Sequence, residues 1–287
     1  MIKDLVVNLV ADAGRDAAAE FAISIAAAFR AHIAGIAFAL DPVFDPVIAP
    51  VIGPTAMGGL SAAWIDTQRS DNLAAAKTAI EGFEAAARRQ DVSVEHRLIE
   101  ASVGGAAHRF GAIARRFDLA VTPQADHGLP GRIATDDLMI EAALFESGRP
   151  VVVVPYIQNA GLKLDCVLLC WDGSRSAARA IADAMPFLCR SRQVEIVTVS
   201  GGRVKPDEIA GADIGEHLAR HDLAVEVRNL VAEDVDVANA ILSYAADCAA
   251  DFIVMGGYGH SRLREFVLGG ATRGMLQSMT VPVLMSH

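Results

Sequence analysis

Positive charge is scarce in this chain, and its scarcity excludes several classes of partner. The 287 residues include 25 Lys and Arg against 35 Asp and Glu, which gives a formal net charge of −10. A chain of this sign has no general electrostatic attraction to nucleic acid or to anionic lipid. We therefore expect no nucleic-acid partner and no membrane partner.

Long uninterrupted apolar runs are also missing. The Ala-rich stretch 17–38 is interrupted by Glu20, Arg30 and His32, so it falls short of a membrane span. The chain starts with Met-Ile-Lys-Asp and passes directly into a strand-like run, which leaves no room for a signal peptide. The sequence therefore predicts a cytoplasmic location. Its 53% hydrophobic content is enough for well-filled cores.

The four cysteines show none of the spacings that mark metal or redox motifs. Cys166, Cys170, Cys189 and Cys248 all lie in the second half, without a CxxC or Cys/His ligand pattern. Their neighbours are apolar or belong to helical patterns. We predict buried thiols in a reducing compartment and no metal site.

The chain also lacks the motifs of well-known enzymes. It has no Gly-x4-Gly-Lys-Ser/Thr, which excludes a P-loop NTPase, and no Gly-x-Ser-x-Gly, HExxH or kinase set. Asp126 and His127 have no second His or carboxylate at ligand spacing, so we interpret them as part of a polar turn. We predict a protein that binds a ligand without efficient turnover and has no catalytic residue.

What the chain does contain is a repeat of its own plan. Apolar runs, polar turns and Ala-rich helical patterns recur in the same order in the two halves, which indicates an internal duplication. The corresponding segments are 4–9 and 165–170, 94–97 and 225–228, 118–121 and 251–254, and 149–154 and 281–284.

Each half alternates strand-like runs with helical patterns, which predicts a parallel sheet covered by helices on both faces. We predict an α/β fold of two doubly wound, five-stranded, Rossmann-like domains at 1–156 and 163–287, with a linker at 156–162. The segment 41–54 breaks the repeat, because its regularly spaced prolines exclude helix and disfavour strand. We expect an ordered loop there, with a lid or partner-binding arm as the alternative.

A glycine-rich stretch gives the strongest functional signal. Gly256, Gly259 and Gly269 follow the pattern Gly-x2-Gly-x9-Gly, after the apolar run 252–255 and before a predicted helix at 271–278. Glycines let backbone amides approach an anion, and the amides at a helix N-terminus favour one. Arginines outnumber acids in this stretch, which suits phosphate. A dinucleotide enzyme is disfavoured, because its glycines would follow the first strand of a unit and these follow the fourth.

The glycine spacing resembles that of universal stress protein domains of the nucleotide-binding kind. In that family it also lies late in the domain, before a last strand like that at 280–285. The resemblance is strong over the second half and looser over the whole chain, and it implies two universal stress protein A-type domains in tandem. It further implies a stress-response sensor or regulator that binds ATP, ADP or AMP, with Mg²⁺ held through the phosphates.

The same resemblance implies a set of nucleotide contacts. Asp172 matches the family's Asp against the base and ribose, and Val199 matches the position whose backbone reads the adenine edge. One departure is Gly270, where the family has Ser or Thr, although Thr272 matches a second hydroxyl position. The implied set is Asp172, Val199, Gly256, Gly259, Gly269, Gly270, Ala271 and Thr272. The alternatives are a turn-forming role for Asp172 and an ordinary strand position for Val199.

The first half has lost the glycine pattern. Aligning Pro150 with Pro282 places Asp137 opposite Gly269. We predict a self-capped helix start at 135–141, whose carboxylates satisfy the amides that would otherwise hold phosphate. Two acids at this place would also repel a triphosphate, so we predict nucleotide binding in the second half alone.

The sequence leaves more than one assembly and more than one function open. Stress-protein domains usually pair through their closing strands, so 151–154 and 281–285 are predicted to pair and to join the halves as a pseudo-dimer. A homodimer of the whole chain stays open, and no protein partner is identified. Two further functions stay open: a scaffold of the same fold without nucleotide, favoured by Gly270, and a slow ATP hydrolase.

Overall fold

The fold is described by a computed structural model over residues 1–10, 15–41, 62–125, 130–200, 211–232, 236–257 and 270–287. Strands and helices alternate through these ranges, and the second half repeats the order of the first, as the internal duplication predicts. The strands are β1 (Asp4–Leu9), β2 (His32–Leu40), β3 (Val94–Ala101), β4 (Leu119–Pro123), β5 (Val151–Val154), β6 (Cys166–Cys170), β7 (Gln193–Ser200), β8 (Val225–Val231), β9 (Phe252–Gly256) and β10 (Val283–Ser286). The helices are α1 (Ala17–Phe29), α2 (Ala62–Arg89), α3 (Val103–Ala114), α4 (Pro130–Glu146), α5 (Arg175–Leu188), α6 (Gly211–Ala219), α7 (Val237–Asp247) and α8 (Gly270–Ser278).

Some predictions fall outside these ranges. They concern the proline-rich segment apart from Asp41, the turn at 126–127, and Gly259 and Gly269 of the glycine pattern. Among the helices that are described, none combines the length and the apolar character that a membrane crossing requires.

The chain forms two compact units, Ile2–Arg149 and Pro150–His287 with Met1. In the first unit the strand order is β3-β2-β1-β4, and every pair is parallel. In the second unit the order is β5-β10-β9-β6-β7-β8, and only the pair of β5 with β10 is antiparallel. Both halves thus wind outward from their first strand and return on its other side. The predicted doubly wound α/β fold with five strands in each half is confirmed.

The two closing strands pair with each other. Val153 of β5 lies opposite Val283 of β10, and Val151 lies opposite Met285, with both strands buried throughout. This confirms the predicted pairing of the closing strands. It also explains why β5, which the first half encodes, belongs to the second compact unit.

Burial along the strands follows their position in the sheets. Val167, Leu168 and Leu169 of the inner strand β6 are fully buried, because helices cover both faces of a parallel sheet. β3 and β8 lie at the outer end of the strand order in their units, and most of their residues are partly or fully exposed. Apolar runs in the sequence therefore identify the interior strands well and the edge strands poorly.

Helix starts are set by capping side chains. Asp16 caps α1 by accepting a hydrogen bond from the Ala19 amide at 2.8 Å, and Ser174 caps α5 by accepting one from Ala177 at 3.1 Å. Such caps satisfy amides that have no acceptor inside the helix.

Two expectations are wrong. The helix start predicted at Thr135 does not exist, because α4 begins at Pro130, a residue that suits the first helical position. Asp136 and Asp137 therefore lie inside the helix and do not cap it. Cys189 is exposed, contrary to the prediction of a buried thiol, because it lies at the C-cap of α5, where the helix reaches the surface.

Candidate functional site

Three strands of the second unit end side by side at one edge of its sheet. β6 lies between β7 and β9 and is parallel to both, so their carboxyl ends share that edge. The chain leaves β6 towards one neighbour and later returns to the other, which makes this edge the switch point where open parallel sheets bind ligands. Asp172, Val199 and Gly256 all lie at these strand ends. The fold therefore brings three of the residues in the predicted set to one place.

The strand registers show how closely two of these residues align. Cys170 is paired with Val197, and the Trp171 amide donates to the Val197 carbonyl oxygen at 2.8 Å. Asp172 follows Cys170 by two residues, and Val199 follows Val197 by two residues on β7. Asp172 and Val199 therefore lie at the same edge of the sheet, as contacts to a single ligand require.

Asp172 forms a local turn. Its Oδ1 atom accepts a hydrogen bond from the Ser174 amide at 2.9 Å, and Gly173 between them has a φ of 72°. This is the turn-forming role named as the alternative for Asp172. The turn holds the exposed carboxylate at the end of β6. Burial, followed by the charge of Asp172, raises the pKa of the Cys170 thiol to about 12, so that thiol stays protonated at neutral pH.

Gly256 lies directly against the N-terminus of α5. A Cβ atom at this position would come within 2.5 Å of the Ala177 nitrogen and 2.7 Å of the Ser176 Oγ. Real Cβ atoms do not approach backbone this closely, so only glycine lets β9 end against the first turn of α5. The sequence indicated that this glycine leaves room for an anion. The structure shows a second reason for glycine, which is close packing against α5, about 80 residues earlier in the chain.

The residue after Gly256 is already engaged in the sheet. The Gly257 amide donates to the Ser286 carbonyl oxygen at 2.8 Å, and the Gly257 carbonyl lies 3.2 Å from Nδ1 of His287. The Gly257 amide is therefore already used within the sheet and is not available to an anion.

The helix that follows the glycine pattern begins at Gly270, one residue earlier than predicted. Gly270 is exposed, and a Cβ atom built on it would have no neighbour within 4 Å among the residues that the structure describes. Ala271 is half-buried, and the Thr272 side chain is buried with 4% of its surface exposed. The first-turn amides of this helix have no acceptor in the helix itself, which leaves them the best-placed donors of the described segment.

The first unit differs at the corresponding positions. With Asp118 aligned to Asp251, Pro123 takes the place of Gly256, and proline has neither an amide hydrogen nor room for a close approach. α4 runs continuously through Asp137, so amides there bond within the helix. Burial, followed by the charge of Asp137, raises the pKa of Glu141.

A second cluster in the same unit escaped the sequence analysis. Cys166, Glu195 and Cys248 place one potential ligand atom each within 4.8 Å of the others. Their separations along the chain match no linear motif. Only the parallel pairing of β6 with β7 and the position of α7 could have indicated it.

Comparisons with known proteins agree with this architecture. A model of the universal stress protein family matches residues 164–287. The universal stress protein Slr1230 of Synechocystis sp. is 34% identical over 120 residues, which cover 41% of this chain and 41% of that protein. The chain thus aligns with less than half the length of this curated relative.

Solved structures extend the likeness to the whole chain. A universal stress protein from Archaeoglobus fulgidus DSM 4304 superimposes with a TM-score of 0.65 at 15% identity, covering 99% of this chain and 97% of the other. A functionally unknown protein from Pseudomonas aeruginosa PAO1 gives a TM-score of 0.59 at 12% identity, with 99% and 92% coverage. At such identities the likeness shows the fold, and it includes the first half, which the family model does not match.

Proposed function

We propose that the second half, in which residues 164–287 match the model of the universal stress protein family, binds ATP or a related adenine nucleotide. The ligand lies at the carboxyl edge of β7, β6 and β9. The protein acts as a sensor or regulator and not as an efficient enzyme.

One observation carries the proposal: the glycine pattern occupies the structural context that a phosphate loop needs. β9 ends at Gly256 and α8 begins at Gly270, so the Gly-x2-Gly-x9-Gly segment connects a buried strand to a helix N-terminus. Amides at such a terminus carry partial positive charge and favour phosphate. In this proposal Asp172 contacts the base and ribose, and the backbone of Val199 contacts adenine.

The remaining parts of the proposal follow from the same assignment. The phosphates lie against the glycines and the start of α8, with Mg²⁺ held through the phosphates. The full proposed set is Asp172, Val199, Gly256, Gly259, Gly269, Gly270, Ala271 and Thr272. The domain limits 1–156 and 163–287, a cytoplasmic location and a homodimer are further parts of the proposal.

Titration of the intact chain with ATP and with GTP, both with Mg²⁺, tests the adenine assignment. We expect saturable binding of ATP and weaker binding of GTP, because the base is held by an adenine-edge contact at the end of β7. Equal affinity for the two nucleotides would contradict that contact, and the absence of saturation by either would contradict the proposal.

Gly270 supports a second candidate function, a scaffold that binds no nucleotide, because this chain lacks the family's hydroxyl group there. The Gly270→Ser variant decides between the two. Within the described part of the chain, no neighbour lies within 4 Å of a Cβ at this exposed position, so serine fits without moving any of those atoms. A new hydrogen bond to a charged phosphate contributes about 1.5 kcal/mol, so we expect ATP affinity to rise roughly tenfold, as measured by titration calorimetry.

Gly270→Ala is the matched control for this variant. It gives α8 a gain in helix propensity at least as large as that of serine but adds no hydroxyl group, so its ATP affinity should stay near that of the wild type. Equal effects of serine and alanine would assign the change to the helix and contradict a phosphate contact at residue 270. No response to serine would favour the scaffold.

A further inference from the structure

The cluster of Cys166, Glu195 and Cys248 lies away from the proposed nucleotide edge. Cys166 begins β6, whereas Asp172 follows the other end of the same strand. Cys166 and Glu195 are buried, with 7% and 6% of their surface exposed, and Cys248 is half-buried. The two Sγ atoms and a carboxylate oxygen lie within 4.8 Å of one another.

The sheet and one helix together create this arrangement. Cys166 pairs with Gln193 and Leu168 pairs with Glu195, and residues two apart on a strand face the same side. Cys166 and Glu195 therefore share one face of the sheet. Cys248 is the C-cap of α7, and Tyr244 of the same helix donates its hydroxyl hydrogen to Glu195.

Hydrogen bonds orient the Glu195 carboxylate, as they usually orient the carboxylate ligands of metal ions. Its Oε1 accepts a hydrogen bond from Gln193 Nε2 at 3.0 Å, and its Oε2 accepts one from the Tyr244 hydroxyl. Each carboxylate oxygen has two lone pairs, so each has capacity for a further bond. Hydrogen bonds of this kind fix the orientation of ligating groups in metal sites.

We propose that Cys166, Glu195 and Cys248 bind one Zn²⁺ ion. Zn²⁺ accepts thiolate and carboxylate ligands together, whereas purely soft ligand sets favour Cu(I) and purely oxygen sets favour Mg²⁺ or Ca²⁺. With Zn–S bonds of about 2.3 Å, two sulfurs on a tetrahedral ion lie roughly 3.8 Å apart, so small side-chain rotations suffice. Three protein ligands leave the fourth position to a water molecule.

Two cysteines this close together could bind a metal ion or form a disulfide. The buried carboxylate of Glu195 favours the metal, because it adds a third ligand atom beside the two sulfurs and has no part in a disulfide. Zn²⁺ displaces the thiol protons on binding and supplies the positive charge that the buried sulfurs lack.

Zinc titration of the intact, reduced and chelator-stripped chain against a chromophoric competitor tests the proposal. We expect one equivalent per chain, and Co²⁺ in its place should show tetrahedral ligand-field bands with thiolate-to-metal charge transfer. Cys166→Ser and Cys248→Ser should each weaken Zn²⁺ binding by at least about 10–100-fold, the loss seen when mere supporting residues are removed. Glu195→Gln keeps the size of the side chain and should weaken binding without removing the thiolate bands.

Cys189→Ser is the matched control, because Cys189 is exposed at the C-cap of α5 and outside the cluster. It should bind Zn²⁺ like the wild type, and thermal unfolding without metal checks that each variant is folded. Stoichiometric binding that survives in the Cys166→Ser and Cys248→Ser variants would overturn the proposal. So would the absence of thiolate bands with Co²⁺, or a Cys166–Cys248 disulfide, seen as a loss of two hydrogens by mass, in a chain that takes up no Zn²⁺.

Discussion

Gly256→Ala should lower the free energy of unfolding of the second unit by about 2 kcal/mol and weaken nucleotide binding at least tenfold. The added Cβ would lie 2.5 Å from the Ala177 nitrogen and 2.7 Å from the Ser176 carbonyl carbon. Both are backbone atoms, so no side chain can rotate away, and β9 must separate from the N-terminus of α5. These two elements border the proposed ligand edge, so stability and affinity fall together.

The unfolding of the second unit can be followed through Trp171. The chain has two tryptophans, Trp64 in the first unit and Trp171 in the second, so a Trp64→Phe background isolates the second. Gly270→Ala is the matched control and should not lower the free energy of unfolding, because its Cβ meets no described residue within 4 Å and alanine favours the helix. If Gly256→Ala proves as stable as this control, the close contact with α5 is not real.

Phe187→Ala should destabilise the second unit even more, by about 3–5 kcal/mol. The ring is fully buried on α5 and stacks on Phe252 of β9, with 5.1 Å between ring centroids and 25° between planes. Its removal leaves a cavity between α5 and β9, the same two elements that meet at Gly256. Denaturant unfolding monitored by Trp171 fluorescence measures the loss.

The matched control for this variant is Phe145→Ala. Phe145 is the same residue type with 45% of its surface exposed, so its removal should cost no more than about 0.5 kcal/mol. Its effect is read from Trp64 in a Trp171→Phe background, because Phe145 lies in the first unit. Similar losses for the two variants would mean that the stacked pair does not hold α5 on β9.

The sequence was sufficient for the order of elements, because each inner strand is apolar throughout and each helical pattern is separated from it by turns. The pairing of β5 with β10 was predicted from the family resemblance, because the apolar runs that close the two halves match the strands through which such domains pair. The start of α4 was not predicted correctly. Pro130 and Thr135 both carry start signals, and the start at Pro130 was missed because the local pattern at 135–141 agreed with a cap.

The candidate site also has a part that the sequence predicted and a part that it did not. The strand-to-helix context of the glycine pattern was predicted from local sequence, and β9 and α8 confirm that context. Contacts between distant residues left no local signal. Gly256 approaches Ala177, and Cys166 meets Glu195 and Cys248, through strand pairing and the packing of helices on the sheet. Spacing along the chain therefore did not reveal these contacts.

The most direct test of the central claim is the number of ATP molecules bound per chain, measured by calorimetric titration with Mg²⁺ for the wild type and for Gly269→Val. We predict one ATP per chain, because Pro123 and the continuous helix α4 remove the phosphate-binding context from the first half. Valine at position 269 brings a branched Cβ into the phosphate path and should weaken binding at least tenfold, the loss of about one charged hydrogen bond. Two equivalents per chain, no saturable binding, or unchanged affinity in Gly269→Val would contradict the account.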